Sequence, residues 1–232
     1  MRTLAIIVIA FALPGAALAA TRNYDTGAFE KVSVSAGIEV EITSGPNRSV
    51  VAENRSGDFE DLKISVEGDT LHIGRPSGSW FSRMFSGSRP DYKVRVVAPV
   101  LRSLSASSGA EVDARGSFEG DISITASSGS EVDAAGIRGG NVKASTSSGS
   151  DIDLAGSCIS FEAHASSGSD LDADDLKCEN VTLQASSGSD VSVYASKRVG
   201  GNASSGSDVL VRGRPPVVEV EQSSGADLKI KD

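Results

Sequence analysis

Apolar and polar residues alternate with period two in short stretches along the second half of the chain, and each stretch follows a Ser-Ser-Gly triplet. Self-similarity at a nearly constant period is typical of a solenoid, in which each unit stacks on the next because it cannot bury its apolar face alone. The triplet recurs at intervals of 18 to 20 residues, with its glycine at Gly109, Gly129, Gly149, Gly168, Gly188, Gly206 and Gly225.

The alternation defines strands on both sides of each triplet. The third position after the glycine is apolar in every repeat, at Val112, Val132, Ile152, Leu171, Val191, Val209 and Leu228. A second alternating stretch, such as 142–147, runs up to the next triplet, and period two predicts half-buried strands in both places. We therefore predict an all-β fold, a right-handed parallel β-helix with coils of about 20 residues. Each glycine is expected at a corner that needs positive φ, with serine hydroxyls bonding the turn.

The first part of the chain is less regular. A weaker repeat stands at Ser35-Ala36-Gly37, further strands are expected within residues 49–53, 62–66, 70–73 and 92–98, and Glu67-Gly68-Asp69 reads as a hairpin turn. We expect residues 20–232 to form one domain. Residues 20–104 would supply irregular first coils that close one end, and residues 105–232 the regular repeats.

Residues 1–19 have the pattern of a secretory signal peptide. Arg2 is followed by an apolar run from Leu4 to Leu13 and by the small-residue cleavage pattern Ala17-Leu18-Ala19. Ten apolar residues are too few to cross a bilayer as a helix, so the mature chain is expected to have no transmembrane segment. Export to the periplasm or the cell surface follows from this prediction.

The charge of the chain narrows the classes of partner. The formal net charge is -9, and the sequence after Leu104 carries 10 basic and 20 acidic residues. Such a surface repels phosphate backbones, so nucleic acid is excluded as an expected partner, and cations, neutral glycans or basic proteins are favoured.

Acidic residues occupy the second position after each glycine and, in the earlier repeats, the fourth. Both positions face outward, so the carboxylates would stack along one side of the solenoid. Stacked carboxylates repel one another, and an all-oxygen environment suits Ca²⁺. Weak Ca²⁺ binding is one interpretation and a solvated acidic face is the other. The candidate metal ligands are Glu131, Asp133, Asp151, Asp153, Asp170 and Asp172.

Catalysis has little support in the sequence. His72 and His164 are the only histidines, and neither lies in a motif for a hydrolytic triad or a zinc site. We therefore expect strand or surface histidines and no enzyme. The acidic columns are the only place where a carbohydrate-active site would be sought.

Two further features leave alternatives open. Cys158 and Cys178 lie one coil apart, so they form either a disulfide between coils or a buried pair of free thiols. An aromatic segment within residues 77–90 either contacts a partner or covers an end of the solenoid. Its candidate contact residues are Trp80, Phe81, Met84 and Phe85.

Together, four segments of the chain resemble the head GIN domain family of auto-transporter adhesins. They are the valine-rich opening at 32–42, the Leu71-His72-Ile73 strand, the segment 94–101 and the serial Ser-Ser-Gly-Ser-Asp units. The resemblance covers essentially the whole mature chain. It implies an exported bacterial β-helical domain with a role in adhesion or surface binding, and it supplies no catalytic motif.

We expect from these observations a non-enzymatic adhesin-like or surface-binding module that recognises a surface glycan or another envelope component. The alternatives are a structural envelope protein with a rigid acidic surface and, less favoured, a carbohydrate-active enzyme. No cofactor is expected apart from weakly bound Ca²⁺. Self-association is left open.

Overall fold

The computed structural model describes residues 19–76 and 91–232, which consist of strands and turns. Most of the predicted signal peptide lies outside the described residues, and so do Trp80, Phe81, Met84 and Phe85. The described strands are β1 Ala20–Tyr24, β2 Lys31–Val34, β3 Glu39–Ser44, β4 Ser49–Asn54, β5 Lys63–Glu67, β6 Thr70–Gly74, β7 Lys93–Ala98, β8 Ser103–Ser107, β9 Glu111–Glu119, β10 Ile122–Ser127, β11 Glu131–Ser147, β12 Asp151–Ser166, β13 Asp170–Ser186, β14 Asp190–Ala203, β15 Asp208–Arg212, β16 Val217–Gln222 and β17 Asp227–Lys231.

The predicted parallel β-helix is confirmed. Strand β11 pairs in parallel with β9 and β10 on one side and with β12 on the other, and β12, β13 and β14 follow in the same way. Equivalent positions stack directly: Val132 lies between Val112 and Ile152, and all three side chains are at most 1% exposed. Each coil thus adds one layer of apolar side chains to a continuous core.

The long strands bend within each coil, so a coil has three segments where the sequence indicated two. In β11 the stretch after the glycine ends at Ala135, a short segment begins at Ile137, and a third runs from Asn141 to Ser147. The short segment points apolar side chains into the core. These side chains include Ile137, Cys158, Leu176, Cys178 and Ala195.

The Ser-Ser-Gly corner is a tight turn in which two successive residues have positive φ. Ser128 has φ 57° and Gly129 has φ 68°, and the other triplets repeat these values. The glycine confirms the prediction, whereas the serine before it was not expected in this conformation, which costs roughly 1–2 kcal/mol for a residue with a Cβ. The turns bond to one another across coils: the Gly109 N–H donates to the Ser128 carbonyl at 3.2 Å, and Gly129 donates likewise to Ser148.

A buried serine completes the corner. The residue after the glycine is Ser130 in one coil, 2% exposed, and its hydroxyl lies 3.0 Å from the carbonyl of Ala106 in the preceding coil and 3.0 Å from that of Ser127. Ser169, Ser189 and Ser207 reach the preceding coil in the same way. These hydroxyls therefore tie each corner to a backbone carbonyl of the coil before it.

The N-terminal section joins the solenoid and then closes it. Strands β2 and β3 lie in parallel beside β8 and β9, so they continue the stack. Strands β6 and β7 add one more parallel layer beside β2 and β3. Beyond that layer the direction changes, because β4 runs antiparallel to β7, β1 runs antiparallel to β4, and β5 and β6 form the predicted hairpin. The loop before β5 adds Leu62, 7% exposed, and Phe59, whose ring stacks 6.2 Å from that of buried Tyr92.

Cys158 and Cys178 form a disulfide in the structure, the first of the two alternatives. The two residues lie opposite each other on β12 and β13, with their Cα atoms 4.5 Å apart. Their spacings from the preceding glycines differ by one residue, and an irregularity in the pairing after Asp153 compensates for this difference. A loop of this size stabilises the folded chain by about 3 kcal/mol in the chain-entropy account.

Two glycines allow the cost of positive φ and the cost of close packing to be measured separately in alanine variants. At Gly156, φ is 144° and an added Cβ would lie 2.1 Å from the Ile137 carbonyl oxygen, whereas at Gly168 φ is 63° and no atom lies within 4 Å. We expect Gly168→Ala to cost about 1–2 kcal/mol of unfolding free energy, from φ alone, and Gly156→Ala to cost at least about twice as much. Urea unfolding monitored by circular dichroism measures both. The matched control is Gly168→Asn, since asparagine tolerates this φ; equal losses for the two alanine variants would contradict the assignment.

Candidate functional site

One side of the solenoid carries two columns of carboxylates, which we call the acidic face. The columns follow the strands after each corner, where the pairing places equivalent residues side by side. The first column contains Glu39, Glu111, Glu131, Asp151, Asp170, Asp190, Asp208 and Asp227, and the second contains Glu41, Asp113, Asp133, Asp153 and Asp172.

Basic side chains neutralise the acidic face at its two ends. At the N-terminal end the Lys93 ammonium lies 2.7 Å from Glu39 and 2.6 Å from Glu41, and its hydrogen bond to Glu41 lowers the pKa of that carboxyl. At the C-terminal end Lys229 lies 2.8 Å from Asp227. The negative potential is therefore greatest in the middle coils.

In the middle coils, burial and neighbouring carboxylates raise the pKa of two acidic residues. Burial first, and then the neighbouring Asp133 and Asp172, raise the pKa of Asp153 to about 6. Burial, with Asp133, Glu111 and Asp151 nearby, also raises the pKa of Glu131. At neutral pH these groups are thus held in a charged form that the fold disfavours.

A shallow groove of about 260 Å³ runs along the second column, lined by Asp113, Asp133, Asp153, Asp172, Asp174 and Arg115. Arg115 bonds Asp113 at 2.7 Å. The structure brings the six predicted metal ligands onto three adjacent coils of this face. Within residues 19–76 and 91–232, however, no three His, Cys, Asp or Glu side chains converge closely enough to hold a metal ion. Weak Ca²⁺ binding therefore stays a prediction.

The side of the solenoid before each corner is different, and we call it the neutral face. Its central column is a row of uncharged hydrogen-bonding side chains that ends at one carboxylate, and an all-serine column runs beside it. The central column contains Ser65, His72, Ser33, Ser105, Thr125, Ser145, His164, Gln184, Asn202 and Glu221. The serine column includes Ser107, Ser127, Ser147, Ser166 and Ser186.

Charge on the margin of the neutral face is paired. Lys143 lies 2.6 Å from Glu162, which also contacts the His164 Nε2 at 2.9 Å, and the pKa of Glu162 is lowered, chiefly by its hydrogen bond with Lys143. Both histidines are strand residues on this face, as predicted, and several coils separate them.

The N-terminal end of the neutral face contains a groove of about 200 Å³ between β2 and the β5–β6 hairpin. Ser33, Ser65, His72 and Arg75 are among its lining residues. Among the described residues, the buried Ser65 hydroxyl has no hydrogen-bond partner. The groove is therefore lined by polar groups.

Sequence reasoning missed the neutral face. The signal was present four positions before each glycine, where Ser105, Thr125, Ser145, His164 and Gln184 stand. These residues differ in identity and share only their hydrogen-bonding capacity and lack of charge, so no repeated letter marks the column.

The fold and its two faces define a class, the parallel β-solenoid that presents long flat polar surfaces. A family model described as "Putative auto-transporter adhesin, head GIN domain" matches residues 28–215. The chain therefore belongs to the head GIN domain family.

Solved structures have the same fold at low sequence identity. A crystal structure described as a putative adhesin from Bacteroides fragilis NCTC 9343 has a TM-score of 0.83 at 14% identity, covering 93% of this chain and 98% of that one. One described as a putative lipid binding protein from Parabacteroides distasonis ATCC 8503 has a TM-score of 0.70 at 16% identity, covering 92% and 97%. A third, described as a putative adhesin from Parabacteroides merdae ATCC 43184, has a TM-score of 0.69 at 11% identity, covering 92% and 96%.

No curated protein matches the chain significantly. In the part of the chain that the structure describes, no helix has the length and apolar character needed to cross a bilayer.

The raised pKa of Asp153 predicts a pH-dependent stability. Because this carboxyl binds its proton more tightly in the folded chain, its ionisation destabilises the fold. The destabilisation is absent below about pH 4, grows as the pH rises and is complete above about pH 6. Since the side chain is largely exposed, we expect Asp153→Asn to raise the melting temperature by only about 2 °C at pH 7.5, and by nothing at pH 4. The control is Asp121→Asn, because Asp121 accepts hydrogen bonds from Asn141 that lower its pKa; this variant should melt lower at pH 7.5. A pH-independent gain in Asp153→Asn would contradict the cause.

The Ca²⁺ prediction is tested by thermal unfolding in EDTA, Ca²⁺ or Mg²⁺ at matched ionic strength. A ligand that binds only the folded chain must raise the melting temperature. The expected result is a small rise specific to Ca²⁺ that the Asp151→Asn, Asp153→Asn, Asp170→Asn, Asp172→Asn variant loses. Equal rises with the two cations would mean screening of a solvated acidic face instead.

Proposed function

We propose that this chain is an exported, non-enzymatic, adhesin-like module that binds an extended neutral glycan of the cell envelope or a neighbouring surface along its neutral face. The observation that carries the proposal is the continuous central column, which presents hydrogen-bonding side chains on successive coils from Ser65 to Asn202. Membership of a family described as adhesins supports a binding role.

The spacing of the column favours a polymer. Successive coils lie roughly 4.8 Å apart, so Thr125, Ser145 and His164 present donors and acceptors at regular intervals along the solenoid axis. A linear glycan lying along this axis would meet a hydroxyl, imidazole or amide on each coil. Individual hydrogen bonds contribute only about 1 kcal/mol each, so many coils must act together.

Charge favours a neutral glycan over an anionic one. The chain has a net charge of -9, and the carboxylates lie on a different side of each coil from the neutral column. An anionic polymer would be repelled by the whole molecule, whereas a neutral one needs only the hydroxyl and amide groups. The groove containing Ser33 and His72 would receive the polymer at the N-terminal end of the column.

The proposal predicts binding that depends on the neutral face. In native affinity gels containing a soluble neutral β-glucan, the chain without residues 1–19 should be retarded, and alginate, an anionic polysaccharide, should not retard it. Thr125→Glu with Ser145→Glu places charge in the middle of the column and should raise the apparent Kd at least about tenfold.

The matched control is Asp133→Asn with Asp172→Asn, which alters the acidic face on the same coils and should leave the retardation unchanged. Loss of binding in this control, with retention in the neutral-face variant, would assign the glycan to the acidic face. Absence of binding to either polysaccharide would contradict the proposal and favour a structural role in the envelope.

A further inference from the structure

The C-terminal end of the solenoid has open strand edges. Among the described strands, β16 pairs only with β14, and β17 pairs only with β15. No described strand pairs with the outer edge of either, and such an edge presents a row of N–H and C=O groups that can pair with a strand of another copy.

The same end exposes apolar side chains that the preceding coil buries. Val218 is 39% exposed and Ile230 is 46% exposed, whereas their neighbours in the stack, Val199 and Val211, are 0% exposed. Val218 and Ile230 continue the stacks of core side chains, and a further coil stacked on this end would bury them. An apolar surface next to open strand edges has the composition of an association site.

The N-terminal end does not offer a matching parallel edge. There β1 and β5 run antiparallel to their neighbours, and Phe59, Leu62 and Tyr92 cover the core. Head-to-tail stacking of two copies would thus lack a continuation of the parallel register. A two-fold dimer in which two C-terminal ends meet uses the same exposed surface on both copies. Such a dimer is closed and does not grow into a fibre.

The sequence of β17 is complementary to itself in the antiparallel direction. Pairing centred on Lys229 places Asp227 opposite Lys231 of the second copy, and Leu228 opposite Ile230 of the second copy. The charged pair lies on the outer side and the apolar pair on the core side, because opposite residues in an antiparallel ladder share a face. The two Lys229 side chains face each other, but each is already 2.8 Å from Asp227 of its own strand.

We propose that two copies of this chain associate through their C-terminal ends, with β17 pairing antiparallel with β17 of the second copy. The pairing brings two oppositely charged pairs together, covers Leu228 and Ile230, and satisfies the open edge of β17. It is independent of what the neutral face binds.

Charge reversal tests the register. Asp227→Lys places two lysines opposite each other in each outer pair, and Lys231→Asp places two aspartates there, so each should weaken the dimer at least about tenfold. The double variant restores opposite charges and should recover the dimer to within about threefold of the original Kd. Sedimentation velocity over a range of concentrations of the chain without residues 1–19 measures the Kd of the wild type and of the three variants.

The single variants should not unfold the chain. Asp227→Lys loses the ion pair with Lys229 but places a lysine beside Asp208, and Lys231→Asp places an aspartate beside Arg212. Since Asp227 and Lys229 are both exposed, losing their ion pair costs little, and melting temperatures measured at the lowest concentration should fall by at most about 2 °C. Thr125→Glu, on the neutral face, should dimerise normally. A wild-type chain that stays monomeric, a dimer that survives either single reversal, or a double variant that stays monomeric would each overturn the proposal.

Discussion

The hydrogen bond between corners of successive coils is the constraint on which the remainder of the fold depends. Each glycine N–H donates to the carbonyl of a serine held at positive φ in the next coil, as Gly168 does to Ser187 at 3.1 Å. A strained serine such as Ser167 is tolerated because its own carbonyl accepts such a bond from Gly149, and because the buried Ser169 hydroxyl accepts from the Ser166 N–H of the same turn. With every corner stacked on the next, the strands on either side have no freedom to slip.

The fixed register is what separates the two faces chemically. A one-residue slip would move every outward side chain into the core, so the alternation of each strand keeps carboxylates on one side of the coil and neutral groups on another. The cost is that burial, and after it repulsion within the acidic face, raises the pKa of Asp153 and Glu131. Lys93 and Lys229 relieve it only at the ends.

The coils, the acidic columns and the hairpin at Gly68 could be predicted because they depend on strict alternation and on glycine turns. The short middle segment of each coil could not, since the stacked residues Cys158, Cys178 and Ala195 stand nine, ten and seven residues after their glycines, and register shifts absorb the difference. The neutral face escaped notice because its residues vary in identity. The positive φ of Ser128 could not be predicted either, because serine ordinarily prefers negative φ and adopts this conformation here only when the next coil is stacked on it.

Each coil contacts chiefly the coil before and the coil after it. The number of coils in the solenoid can therefore change without rearranging the remaining coils. Duplication or deletion of one 20-residue unit would leave both corners, the core layer and the register of all other coils as they are. It would change the length of the acidic and neutral faces by the thickness of one coil, roughly 4.8 Å. Evolution could thus adjust the valency of such a surface through repeat number alone, without altering any single contact.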